Sequence, residues 1–365
     1  MNGGTASTPA YTGEVVYLYA FDVAFEVGPE LPARLLGKPL VPLALDGDKR
    51  NPRRLALERP FTLSLPPLVR QGAAGPVTIG RAVKVLRVGA ISVALRVPFA
   101  VDAIGELVAF HDLAFREGSL DELARLLAAD VFEELRPHLV RPVATLPAEE
   151  AYTVFCLRST VPDAAAWLTE NRRAVAALLT QEGDPALLSQ AEVDESTARA
   201  LSYYRHDLAV LDWDAALLID QAKGTDELVH IIELANLELA ELEAYDAILD
   251  AAVETAYHDL AGRFNRRRRR VLRRLGELRI DLARLGDELG NITKFFGDWH
   301  LARVYQTLSD RFHLADWHRS ADTKLRTLDD MYQLLKQDQN NRWMLILEVT
   351  VVLLFVVDLA IILRH

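Results

Sequence analysis

Residues 14–20 read Glu-Val-Val-Tyr-Leu-Tyr-Ala (EVVYLYA), the first run in the chain with enough β-branched and aromatic content to open a strand. The first twelve residues of the chain, Met1–Thr12, are small and polar and read as a disordered tail. They hold no apolar run and no arginine, so neither a secretory signal nor an Arg-rich presequence is expected. Downstream, Phe61–Leu65, Val77–Val88, Ala90–Val97 and Thr153–Leu157 repeat the β-rich pattern between turn-forming flanks. Ala103–Phe115, Leu120–Leu135 and Ala164–Leu179 carry apolar residues at helical spacing. Strands and helices in this irregular order predict an α+β head over residues 13–223, built from ferredoxin-like units. Leu201–Trp213 reads as a hairpin with His206-Asp207 near its turn, and Asp214 as the cap of a short helix over Ala215–Ala222.

Proline then disappears. All 16 prolines lie between Pro9 and Pro185, and 13 of 19 glycines occur by Gly183, so the second half is expected to be long helices. From Asp226 to Ala261 neither residue intervenes. Leu228, Ile232, Ala235, Leu239, Leu242, Asp246, Leu249, Val253 and Ala256 alternate by four and three, a seam of about four heptads with one polar interruption. Such a helix belongs either to a coiled coil or to an ordinary bundle, and either needs a partner. The expected divisions are an acidic-then-basic helical segment over 224–290, a helical stalk over 291–341 and a terminal helix over 343–363.

Trp343–Leu363 (WMLILEVTVVLLFVVDLAIIL) is apolar over a length that matches the ~30 Å hydrocarbon core of a bilayer, and Arg342 and Arg364 bracket it. It predicts a single-pass C-terminal anchor with residues 1–340 in the cytosol. Glu348 and Asp358 lie inside this span. They read as snorkelling or protonated acids, or as the lining of a cation or proton conduit if spans oligomerise.

Charge is segregated. Residues 226–262 carry ten acids and no Lys or Arg; residues 263–285 carry ten arginines against Glu277 and Asp281. Three readings compete for Arg266, Arg267, Arg268, Arg269, Arg270, Arg273 and Arg274: pairing with the acidic helix, binding RNA or a ribosome, or binding anionic lipid. The net charge of −11 argues against nucleic-acid binding by the whole molecule.

Half of the 365 residues are hydrophobic and a quarter charged, so the chain folds, and its single cysteine, Cys156, cannot form an internal disulfide. Phosphate-binding glycine loops, HExxH and GxSxG are absent. The groups Asp207, Asp212, Asp214, Asp220 and His300, His313, His318 with Asp310 and Asp316 read as caps, turns and surface rather than metal ligands. No enzymatic activity, cofactor or metal is expected.

Beyond Asn291, three features stand together: Phe296, Asp298 and Trp299 opening a helix, Asp329-Asp330-Met331 closing one, and Trp343-Met344 with Glu348 opening the terminal span. With the strand motif Leu86–Val93 (LRVGAISV), this resembles the "required for meiotic nuclear division", or Sad-interacting-factor-like, family. The resemblance implies a membrane-anchored, oligomer-forming protein without known enzymatic activity, with mitochondrial members that support organellar translation. The expectation is therefore a non-enzymatic membrane-tethered scaffold, homo-oligomeric through its long helices, in a bacterial inner membrane or alternatively the mitochondrial inner membrane.

Overall fold

The computed structural model describes residues 10–42, 60–73, 75–158, 161–261, 280 and 299–363. Its contacts divide the chain into two compact units, Met1–Glu243 with Leu285–Ala315, and Ala244–Arg284 with Asp316–His365.

The first unit is mixed α/β and is organised around one nine-stranded sheet, which replaces the expected ferredoxin-like units. Strands β1 (Tyr11–Asp22), β2 (Ala24–Val27), β3 (Arg34–Leu35), β4 (Lys38–Pro39), β5 (Val41–Pro42), β6 (Phe61–Gly72), β7 (Gly75–Val85) and β8 (Ala90–Val101) come first. They are followed by β9 (Leu139–Pro142), β10 (Glu150–Leu157), β11 (Ala200–Leu201), β12 (Leu208–Leu211) and β13 (Ala215–Ile219). The sheet runs β11-β12-β13-β10-β1-β8-β7-β6-β5, with β2/β9 and β3/β4 as separate ribbons. Consecutive β6, β7 and β8 pair as a meander, because only short turns separate them and adjacent antiparallel pairing is then the shortest closure. Between Leu86 and Ala90 the turn needs Gly89, whose φ is +97°.

β1 lies at the centre, paired to β8 from Tyr11 to Asp22 and to β10 from Gly13 to Ala20. Its odd residues Val15, Tyr17, Tyr19 and Phe21 enter the main core; Ala20, on the opposite face, packs with Ala90 and Leu237. Burial of both faces explains why EVVYLYA shows no apolar/polar alternation.

Two helices from the expected spans complete the main core. Helix α1 (Leu120–Leu135) opens with a capping box in which Ser119 Oγ accepts from Glu122 N at 3.1 Å and Glu122 Oε2 accepts from Ser119 N at 3.1 Å. It buries Leu120, Leu123, Leu127 and Val131 along one face. Helix α2 (Ala164–Leu179) is capped by Asp163. Ala103–Phe115 yields only a short 3-10 helix over Ile104–Phe110, with Gly105 at its start lowering α-propensity. Ala215–Ala222 is a second correction. Its apolar run is the buried strand β13, parallel to β10, and tertiary pairing there overrides the capped-helix pattern.

After α3 (Gln190–Ser196), the acidic segment forms α4 (Ala222–Ala261), ~60 Å long at 1.5 Å per residue. Within the first unit α4 covers the second face of the sheet. Beside it lies α5 (Trp299–Arg311), whose Tyr305 hydroxyl donates to the Glu238 carboxylate. In the second unit, α6 (Leu314–Ile362) meets the end of α4. Lys324 Nζ lies 2.7 Å from Asp246 Oδ1 and 2.5 Å from Asp250 Oδ1, while Leu249, Ala256, Ala321, Leu325 and Leu328 are buried.

The expected transmembrane anchor is corrected. Among the described residues no helix is long and apolar enough to cross a membrane. With the anchor go the tail-anchored architecture and the single-pass membrane localisation.

Candidate functional site

Four of the described acids of α4 meet cations on other elements: Asp226 and Glu233 on the sheet, Asp246 and Asp250 on α6. At the start of α4, Asp226 Oδ1 lies 2.8 Å from Arg96 NH1, and Arg96 also holds Glu14 at 2.9 Å; Glu14 in turn pairs with Arg158 at 2.8 Å. One turn further along, four polar groups from three elements converge in the interior. Lys84 on β7 and Ser92 on β8 are register partners and so project from one face of the sheet. His230 and Glu233, three apart on α4, come down onto them.

Lys84 Nζ forms an ion pair with Glu233 Oε2 and approaches His230 Nδ1 to 3.2 Å, and Ser92 Oγ donates to Glu233 Oε1 at 2.5 Å. An ammonium can only donate, so His230 Nδ1 is the acceptor and the ring proton sits on Nε2. Glu233, Ser92 and His230 are buried. Burial, the largest single influence, raises the Glu233 carboxyl, but Lys84 and His230 together outweigh it and hold the group at about 2. Burial depresses His230, and Lys84 depresses it further against the opposing pull of Glu233. The quartet thus stands as ammonium, carboxylate and neutral imidazole.

A contrasting pair of acids, Glu150 and Glu243, lies where β10 meets α4. Burial and the neighbouring Glu243 push Glu150 up to about 7, and burial alone does the same for Asp22. Asn236 on α4 donates to the Glu150 carbonyl at 3.0 Å.

The other candidate residues take local roles. Asp207 accepts from the amides of Tyr203 and Tyr204 at 2.7 and 2.8 Å, Asp220 from Gln221, and Asp212 from Trp213 N and the Arg311 guanidinium. His300 packs on the Tyr203 ring and His313 on Trp213. Among the described residues no group of three His, Cys, Asp or Glu side chains could hold a metal ion. Arg266, Arg267, Arg268, Arg269, Arg270, Arg273 and Arg274 lie outside the described residues, as does the side chain of Asp358; Glu348 is exposed on α6.

The expected heptad seam is occupied within the chain. Leu228, Ile232, Ala235, Leu239 and Leu242 are buried in the first unit and Leu249 and Ala256 in the second, with Asp246 bonded to Lys324. The uncovered apolar surface lies instead on α6. Every large apolar side chain from Met344 to Val356 is between 44% and 71% exposed, on all sides of the helix. An exposed run of this kind marks an interaction surface.

Comparison with known proteins places the chain. A family described as "Uncharacterized protein MJ0711, N-terminal domain" matches residues 12–226, the segment from β1 to the start of α4. The uncharacterized protein MJ0711 of Methanocaldococcus jannaschii is 25% identical over 248 residues, covering 67% of this chain and 75% of the relative. No solved structure matches. These matches overturn the resemblance to the meiotic-nuclear-division family. That resemblance rested on short aromatic and acidic patterns in 296–348, which any packed helix pair can produce, and on one strand motif at 86–93. The chain belongs to the MJ0711 N-terminal-domain family.

Proposed function

We propose that this protein is a non-enzymatic scaffold that self-associates through the C-terminal half of α6, its first unit serving as the presented domain. The observation that carries the reading is the exposed run Met344–Val356. Eleven large apolar side chains in thirteen consecutive positions are left uncovered by the rest of the chain. Each contributes ~1.5–3 kcal/mol when fully buried, so covering even half of that surface offsets much of the ~4–15 kcal/mol cost of association.

A second copy is the occupant that fits. The run carries one charge, Glu348, and the same strip on two chains is self-complementary about a two-fold axis. The heptad seam of α4 offers no comparable surface, since its described apolar positions are buried apart from the half-buried Val253. A cation or proton conduit needs a spanning helix, and translation support entered through a resemblance since overturned; neither is carried forward.

The test is crosslinking and light scattering of the full chain at micromolar concentration in mild detergent, with Leu347→Asp/Leu354→Asp as the comparison. A discrete oligomer in the wild type that becomes monomeric in the variant supports the scaffold. A wild-type monomer overturns it, as does recovery with lipid as a monomer, which would make lipid the occupant of the strip.

A further inference from the structure

We propose that Lys84, Ser92, His230 and Glu233 form an acid-released latch that fixes the first half of α4 to the sheet. The contact that closes it is Lys84 Nζ donating to His230 Nδ1 at 3.2 Å. Protonation of His230 puts a hydrogen on Nδ1, where it points at an ammonium, so the acceptor is lost and two cations face each other.

Re-pairing compensates only in part. Glu233 Oε2 stands 3.6 Å from His230 Nδ1, beyond hydrogen-bond reach, and is shared with Lys84, whose positive charge stays beside the ring. The charged groups that act on His230 are Lys84 from β7 and Glu233 from its own helix, while Ser92 from β8 reaches Glu233.

The sign follows from linkage. His230 is depressed below the ordinary 6.5 by burial, so the closed state binds its proton less readily than the open state. The latch is complete above about pH 6.5 and weakens as pH falls below it. Glu233, held at about 2, takes no part between pH 5.5 and 7.5. Glu150 and Asp22, at about 7, act with the opposite sign and cannot imitate the effect.

Hydrogen–deuterium exchange of the full chain, corrected for intrinsic rate, tests this on peptides covering Leu228–Leu242 with α1 as the reference. Between pH 7.5 and 5.5 the α4 peptides should lose protection by up to about tenfold relative to α1. That is the factor by which an imidazole of pKa ~6.5 takes up protons over this range. In His230→Gln, which offers an acceptor without titrating, the loss should vanish. If that variant does not fold, Lys84→Gln, which removes the second cation, should shrink the wild-type response. An unchanged response in His230→Gln, or in Lys84→Gln where that variant is the one tested, overturns the latch. So does equal protection of wild-type α4 at both pH values.

Discussion

Removing the Lys84 ammonium while leaving Glu233 in place is the sharpest stability test of the sheet–α4 interface. In Lys84→Met the hydrocarbon stem is largely kept, but the Glu233 carboxylate, 2% exposed, loses its only ion-pair cation among the described residues. Breaking a buried pair from one side costs ~3–5 kcal/mol. Lys84 and His230 together hold the carboxyl at about 2, against the burial that raises it, so removing the ammonium leaves that burial opposed by His230 alone. At ~2–4 °C per kcal/mol, Tm at pH 7 should fall by ~6–20 °C. The assay is thermal and urea unfolding of the full chain followed by far-ultraviolet circular dichroism. Lys84→Met/Glu233→Leu removes both charges and should recover most of the loss. A single variant within ~1 kcal/mol of wild type, or a double variant less stable than the single, would refute the assignment of a desolvated ion pair here.

Other sites give independent checks. Gly89→Ala adds a Cβ that overlaps the Ala24 carbonyl oxygen and stands 2.7 Å from its carbon, at a φ of +97°, and should cost more than ~2 kcal/mol in urea unfolding. Ser119→Ala removes the cap of α1 and should cost ~1 kcal/mol by the same measurement. The Cys156 thiol is fully buried and pushed well above its usual range by that burial; a thiol reagent should find no reactive sulfur in the native chain at pH 8 and one after denaturation. Glu150, raised to about 7 by burial and by Glu243, destabilises the fold as pH rises from about 4.5 through 7. Glu150→Gln should therefore flatten the fall in Tm between pH 5 and 8, and an unchanged slope would remove this carboxyl from the balance.

Much of the fold was legible where local and tertiary preferences agree. Leu120–Leu135 and Ala164–Leu179 carry apolar stripes at helical spacing, and α1 and α2 fill those spans, with Ser119 and Asp163 capping them in the structure. β1, β8 and β10 were legible because both faces of the central sheet are covered, giving continuous β-rich runs. Ala215–Ile219 was misread because a short apolar run carries no period; only its pairing with β10 decides that it is a strand. The latch residues were missed for another reason. Lys84 and His230 are 146 positions apart, and no spacing rule joins a strand to a helix across that distance. One signal was available. From Leu228 to Leu242 the apolar residues go almost all the way round α4, so Glu233, Asn236 and Glu238 had to be buried beside them.

The sequence alone determined which segments could be helices and strands, through caps, proline exclusion and β-branched content, and it placed the acids of α4 on a helix without basic residues. What those acids do was decided by tertiary structure. The sheet register sets Lys84 beside Ser92, and the packing of α4 brings His230 and Glu233 onto them. Charge is long-ranged and promiscuous in sequence, and becomes specific only when burial removes water and leaves one partner within reach.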